Sequence, residues 1–157
     1  MNNPWKDINI PENDVLSRRV DSEHPLDLFW ARDQSGRYLF IYELNKFEDL
    51  PHKFPILSGI DIKYLQRDKD NEEVYLLILI LKDKKDWQIF RSLCKDIISV
   101  TKNCKRDKNA FIIILRRLNK WQEFLRKVRS GILPERLIKG LLGELIFLKN
   151  HHSYIIY

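Results

Sequence analysis

The pattern of apolar residues changes at about residue 81, and this change limits the folds open to the chain. Residues 74–81 are apolar throughout, which is typical of a central strand covered on both faces. Before them, residues 60–65 alternate apolar and polar side chains, as a half-exposed strand does. After them, residues 84–100 carry apolar side chains three and four positions apart, which predicts an amphipathic helix.

Turn residues divide the first half of the chain into short strands. Residues 26–32 and 37–44 flank a turn at 33–36 that has glycine late in it, which predicts a hairpin. Residues 15–20 could form another strand, and residues 68–71 form a polar turn. Short turns favour antiparallel pairing. The predicted fold is therefore α+β: a mostly antiparallel sheet of four or five strands, followed by two or three helices.

Helical spacing continues through the second half. Residues 110–128 begin with an apolar run that could start as a strand, and then continue as an amphipathic helix. Ser130 and Gly131 end that helix, and Pro134 suits the first turn of the next. We expect an N-terminal α+β domain over residues 1–131, and a further helix with a tail over residues 132–157.

The net charge of +6 conceals a difference between the two halves. Residues 1–80 carry 10 Lys and Arg against 15 Asp and Glu, whereas residues 81–157 carry 18 against 7. Such a basic half can attract the phosphates of DNA, face the acidic first half or an acidic partner, or simply be solvated. The cations predicted to contact nucleic acid are Arg116, Arg117, Lys120, Arg126, Lys127, Arg129, Arg136 and Lys139.

Several classes of protein are disfavoured by the sequence. Cys94 and Cys104 are ten residues apart, without a Cys-x-x-Cys motif, which is typical of a reducing cytoplasm and indicates neither disulfides nor a zinc site. No apolar run approaches the roughly 20 residues that span a bilayer, so we expect no membrane partner. A phosphate-binding loop, a Ser/His/Asp triad and an HExxH motif are all missing from the sequence.

One acidic residue lies where an apolar residue is expected. In the helix predicted over residues 134–148, Glu144 falls on the face formed by Leu137, Leu141 and Leu148. A carboxylate in such a place needs a cation, a metal or a raised pKa. It could belong to a site, or pair structurally with a nearby Arg or Lys. Mid-helix glycines usually allow close backbone approach, and the same helix contains two: Gly140 and Gly143.

A second acidic group has the form of a nuclease motif. Asp61 and Lys63 make an acid-x-Lys sequence, and Asp49 lies twelve residues upstream. Two acids and a lysine on adjacent strands could hold Mg²⁺ and orient an attacking water. Asp61 and Lys63 also fit the exposed face of an alternating strand, so both interpretations stay open.

Several stretches of the chain resemble the bacterial PD-(D/E)XK motif proteins that were once filed as a domain of unknown function. The matching stretches are RRVD at 18–21, HPLDLFW at 24–30, RD at 32–33, GR at 36–37, LCKD at 93–96, RL at 117–118 with Trp121, and GLLGEL at 140–145. The resemblance implies a restriction-like nuclease of restriction or phage-defence gene clusters, which often contain methyltransferases and ATPases. It also implies that Glu144 is the family's acid near the metal site.

The rest of the family's catalytic set does not match this sequence. The metal-binding Asp and the (D/E)-x-Lys strand are expected downstream of Glu144, where residues 150–157 show neither. We therefore expect a shortened member that contributes to assembly or nucleic-acid contact, possesses no cofactor, and would need a complete nuclease domain to use Mg²⁺. The alternatives are a protein-interaction subunit without a nucleic-acid role, and an Mg²⁺-dependent nuclease completed by another chain, for example in a homodimer.

Overall fold

A computed structural model describes residues 2–45, 53–105 and 107–131. The predicted unit at residues 132–157 lies outside these ranges, and so does its boundary with the domain before it. Among the candidate functional residues named above, Asp49, Arg136, Lys139 and Glu144 lie outside the described residues.

Within the described residues, five strands are followed by two helices, which confirms the predicted α+β class. The strands are β1 (Val15–Arg19), β2 (Asp27–Asp33), β3 (Tyr38–Asn45), β4 (Ile60–Lys69) and β5 (Glu72–Leu81). A short 3₁₀ turn (Lys84–Asp86) then leads into α1 (Trp87–Val100) and α2 (Asp107–Arg129). The apolar run at residues 111–115 is helical, because its side chains continue the buried stripe of α2 rather than alternating.

The five strands form one antiparallel sheet in the order β1-β2-β3-β5-β4. The β4–β5 hairpin is longer than predicted, since β4 runs to Lys69 and its turn consists of Asp70 and Asn71. Both turn residues have positive φ, 51° and 66°, which matches the right-handed twist of a tight hairpin. Strand β5 lies inside the sheet between β3 and the edge strand β4, and most of its residues are buried on both faces, as predicted.

One face of the sheet packs against both helices. Alternate residues of β2, β3 and β5 point to this face and meet the apolar stripes of α1 and α2. Fully burying each of these large side chains stabilises the fold by roughly 1.5–3 kcal/mol. The main contributors are Leu28, Trp30, Phe40, Tyr42, Leu77, Leu79, Phe90, Leu93, Ile97, Phe111, Ile114, Leu118 and Trp121.

The opposite face, which we call the open face, carries no helix among the described residues. Its floor is a smaller apolar cluster of Ala31, Leu39, Ile41, Ile78 and Ile80. Asp14, just before β1, and Arg67 of β4 form an ion pair with 3.0 Å between Oδ2 and Nη2. Because β1 and β4 are the two edges, this contact means that the sheet curls toward its open face.

The first turn of α2 is tied to the sheet by one carboxylate. Asp107 accepts a hydrogen bond of 2.6 Å from the Tyr42 hydroxyl and one of 3.1 Å from the Asn45 backbone N–H. This contact fixes where α2 begins relative to β3. Neither helix of the described region has the length and apolar character needed to cross a membrane.

Candidate nucleic-acid interface

The two helices are held together by a buried ion pair. The Asp96 carboxylate of α1 accepts hydrogen bonds of 2.8 Å from Arg117 Nε and 2.8 Å from Trp121 Nε1, both in α2. Asp96 is 1% exposed and Arg117 is 7% exposed. Arg117 was predicted to contact nucleic acid, but its guanidinium is directed into this pair, so it acts here as a structural cation.

Two other predicted cations form ion pairs near the surface. Arg129 bonds to Asp86 at 2.6 Å, which joins the end of α2 to the start of α1. Arg126 bonds to Glu123 at 2.6 Å on the exposed side of α2, and this hydrogen bond lowers the pKa of Glu123. Together with the Asp96–Arg117 pair, the Asp86–Arg129 pair shows that α1 and α2 run antiparallel.

The remaining predicted cations within the described residues point outward. Arg116, Lys120 and Lys127 are exposed, and they lie on one side of α2 because their spacing of four and seven residues is close to whole helical turns. No carboxylate of the described region forms an ion pair with any of the three. Lys102, exposed after the end of α1, is likewise unpaired among the described residues. We call Arg116, Lys120 and Lys127 the outer helical face.

The acidic residues of the helical layer are all engaged elsewhere. Asp86 and Glu123 are in the ion pairs described above, Asp96 is buried between the helices, and Asp107 bonds to the sheet. The positive charges of Arg116 and Lys120 are not paired with the described carboxylates of α1 and α2, whereas the charge of Lys127 also acts on Glu123 and helps to lower its pKa. This arrangement can attract an anionic polymer through many weak contacts.

The aromatic residues of α2 do not contribute to this surface as base-stacking groups. Trp121 is fully buried in the core. Phe124 is half-buried and packs edge-on against Trp121, with ring centroids 5.5 Å apart. The outer helical face therefore offers charge rather than stacking platforms.

Asp61 and Lys63, the residues of the nuclease-like sequence, lie side by side on the open face of β4. Their strand partners are Ile80 and Ile78, whose side chains form part of the floor of that face. Asp61 forms an ion pair with Lys82 at 3.4 Å. Within residues 2–45, 53–105 and 107–131, no three His, Cys, Asp or Glu side chains come together to hold a metal ion.

Residues in the stretches that resemble the family have structural roles. His24 is buried, and its Nδ1 accepts a hydrogen bond from the Leu26 backbone N–H at 3.0 Å. Its Nε2 therefore carries the proton and donates to the Ile98 carbonyl at 2.9 Å, which ties the start of β2 to the end of α1. The imidazole thus links the sheet to the helical layer through these two hydrogen bonds.

The hairpin between β2 and β3 depends on another residue of these stretches. Asp33 accepts hydrogen bonds from the backbone N–H groups of Ser35 and Arg37 at 3.1 and 2.9 Å, and it forms an ion pair with the Arg37 side chain. Gly36 completes the turn with a φ of 77°, a conformation that suits glycine. Asp33 and Arg37 are thus used to shape a turn.

Sequence reasoning missed the role of Asp96. Its only signal was an acid directly before Ile97, within the apolar stripe of α1, where a partner is needed. The partners lie 21 and 25 residues away, and a single sequence does not show that the two helices bring them together.

A comparison with models of known protein families identifies the family of this chain. A family model described as "Putative PD-(D/E)XK family member, (DUF4420)" matches residues 1–156. No curated protein and no solved structure matches the chain. The model covers nearly all of the sequence, including every stretch that suggested the resemblance. The chain therefore belongs to this PD-(D/E)XK family.

Proposed function

We propose that this chain is a non-catalytic region of a PD-(D/E)XK family protein, and that it contacts DNA through the outer helical face within a restriction or phage-defence system. The supporting observation is that Arg116, Lys120 and Lys127 are exposed on one side of α2 and form no ion pair within the described residues, while Asp86, Asp96 and Asp107 bond to other groups.

Such a surface should bind with little sequence preference. Lysine and arginine neutralise phosphates and release condensed counterions, so affinity depends on the number of contacts and on salt. Base-specific contacts require side chains that enter a groove, and stacking requires exposed aromatic rings. The outer helical face offers no exposed aromatic ring, so contact of its cations with the sugar–phosphate backbone is the mode of binding that we propose.

Fluorescence anisotropy with a labelled DNA duplex tests the proposal. A triple variant, Arg116→Gln, Lys120→Gln and Lys127→Gln, should bind more weakly than the wild type. The slope of log affinity against log salt should also become shallower, by about 2 to 3, because each lost phosphate contact removes roughly 0.9 from it.

A matched control removes three positive charges elsewhere. Lys6, Lys53 and Lys63 are exposed and lie outside the helical layer, so a triple Gln variant at these positions should keep the salt slope of the wild type. Equal losses in both variants would mean that only the net charge matters, and the proposed surface would then be wrong.

The open face supports a second candidate, a protein-interaction subunit without a nucleic-acid role. A groove of about 720 Å³ lies there, with an apolar floor that includes Phe29, Ile41, Leu76 and Ile78 and with a charged rim. Binding to a defence-system protein, such as an ATPase or a methyltransferase, would then be insensitive to salt. A tight protein partner together with absent DNA binding would favour this candidate.

A third candidate is an Mg²⁺-dependent nuclease completed by another chain. Asp61 and Lys63 share one face of β4 and would be its residues on this chain. Mg²⁺-dependent cleavage of DNA that disappears in Asp61→Ala would replace the proposed non-catalytic role.

A further inference from the structure

A second group of cations lies where α1 meets the β1 edge of the sheet. It consists of Arg18, Arg91 and Lys95, which we call the corner cluster. Arg91 is half-buried, and its Nε atom is shielded from solvent without a hydrogen-bond acceptor in the part of the chain that the structure describes. A buried N–H donor left without a partner is unfavourable, so an acceptor from outside the described residues is favoured there.

Trp30 brings the cluster together. Lys95 lies over the indole ring of Trp30, with Nζ 5.9 Å from the ring centroid. Arg18 is the direct cross-strand partner of Trp30, and its Nη2 donates a hydrogen bond of 3.0 Å to the Pro4 carbonyl. Arg91 precedes Lys95 by four residues, so the two side chains leave α1 on the same side.

The three positive charges have no counter-ion in the described region. No ion pair of the described residues includes Arg18, Arg91 or Lys95. Burial lowers the pKa of Lys95, and the positive charge of Arg91 lowers it further. Two like charges one helical turn apart destabilise a helix slightly unless an anion lies between them.

We propose that the corner cluster is a binding site for a phosphate group. A phosphate oxygen could accept from the orphaned Arg91 N–H, and the ammonium of Lys95 and the guanidinium of Arg18 would supply further charge. Guanidinium groups suit phosphate because their donors match its oxygens in geometry. The phosphate could belong to a nucleic-acid backbone or to a small phosphate compound, since both present the same chemistry.

This inference does not rest on the outer helical face, with which the corner cluster shares no residue. If the phosphate belongs to DNA, the cluster extends the proposed contact surface onto the α1 side of the helical layer. If it belongs to a small compound, the cluster is a separate ligand site.

Titration with inorganic pyrophosphate tests the site, with total ionic strength held constant by NaCl. In ¹⁵N-edited NMR spectra, the Arg91 Nε–Hε signal should move and reach saturation, because that group gains its acceptor. Arg91→Gln and Lys95→Gln should each weaken pyrophosphate binding by about tenfold or more, as expected for a lost charged hydrogen bond. Lys53→Gln is the single-charge control and should bind as the wild type does.

Circular dichroism and thermal unfolding show whether each variant still folds. If Arg91→Gln does not fold, the milder Arg91→Lys replaces it. That variant keeps the charge but loses Nε–H, and it should also weaken binding. An Arg91 signal that stays unmoved by pyrophosphate, or equal binding by all variants, would overturn the proposal.

Competition identifies the source of the phosphate. A short DNA duplex that displaces pyrophosphate, and that binds more weakly to Arg91→Gln, assigns the site to nucleic acid. Pyrophosphate binding without competition assigns it to small phosphate compounds. If Arg91→Gln binds both ligands normally while the Arg116, Lys120 and Lys127 variant loses DNA binding, the corner cluster is refuted and the proposed function stands. If that triple variant keeps its DNA binding while Arg91→Gln loses ligand binding, the proposed function alone is refuted.

Discussion

Asp96 illustrates how one residue can determine the packing of two helices. Its carboxylate is almost fully enclosed and bonds to both Arg117 and Trp121. A carboxylate removed from water needs such partners, because isolated burial of a charge is strongly unfavourable. The pair orients α2 against α1, and it also explains why Arg117 differs from the other cations of that helix.

Breaking this pair should destabilise the protein strongly. Asp96→Ala leaves the buried Arg117 charge without its partner, so we expect the free energy of unfolding to fall by about 3–5 kcal/mol. Urea denaturation measures the change. The double variant Asp96→Leu with Arg117→Met should recover part of the loss, because apolar side chains of similar volume replace both charges while the buried Trp121 Nε1–H loses its acceptor. A cost below about 1 kcal/mol for Asp96→Ala would contradict this account.

Gly59 is a second residue whose structural role is specific, because both its backbone conformation and its surroundings favour glycine. Its φ is +82°, and a Cβ atom built on it would overlap the guanidinium of Arg129. Gly131 has a similar φ of +72°, but a Cβ atom there would meet nothing within 4 Å among the residues that the structure describes. Comparing alanine substitutions at the two glycines therefore distinguishes the cost of backbone strain from the cost of steric overlap.

We expect Gly131→Ala to cost about 1 kcal/mol in unfolding free energy from backbone strain alone. Gly59→Ala should cost more, because Arg129 must also move away from Asp86. Removing the obstacle with Arg129→Ala should reduce the effect of Gly59→Ala to that of Gly131→Ala. Thermal and urea unfolding of the four variants provide the comparison, and equal costs for both glycines would show that the overlap is unimportant.

At the scale of elements, the contact between β3 and α2 has a consequence for pH dependence. Burial raises the pKa of Tyr42 above the usual value for tyrosine, and the neighbouring Asp107 raises it further. Burial also raises the pKa of Tyr64, to about 12. Both hydroxyls thus stay protonated in the folded state at a pH where they ionise in the unfolded chain.

Folding stability should therefore be unaffected by these groups below pH 10 and should fall above it. A tyrosine that stays protonated only when folded removes about 1.4 kcal/mol of stability for each pH unit above its unfolded pKa. Urea denaturation between pH 8 and 11.5 should show the decline. Tyr42→Phe should reduce its steepness, and an unchanged slope in that variant would mean that Tyr42 ionises while folded.

Most elements could be predicted from the sequence because their patterns are local. The hairpin at Asp33 to Arg37, the alternation in β4 and the helical stripe of α1 each depend on neighbouring residues. The order of the strands, with β5 between β3 and β4, depends on pairings between distant residues. The same limit applies to Asp96 with Arg117, where the sequence indicated a surface cation and the structure gives a buried pair.

At the scale of the whole molecule, the division of charge between the two halves follows directly from residue counts. Counting does not show which cations are engaged, and only the fold separates Arg117 and Arg129 from Arg116 and Lys120. The DNA contact proposed for the second group depends on that separation. The role predicted for Glu144 stays a prediction, since that residue lies outside the described part of the chain.

The curl that joins Asp14 to Arg67 also affects how copies of this protein meet each other. The outer strands of a flat sheet expose rows of peptide groups that can recruit strands from neighbouring molecules and seed fibrils. Here the two edge strands of the sheet bend toward one another, and the ion pair between Asp14 and Arg67 joins them. We therefore expect the fold to disfavour edge-to-edge pairing between copies, and Lys69, paired with Glu43, places a further charge at the same end of the sheet.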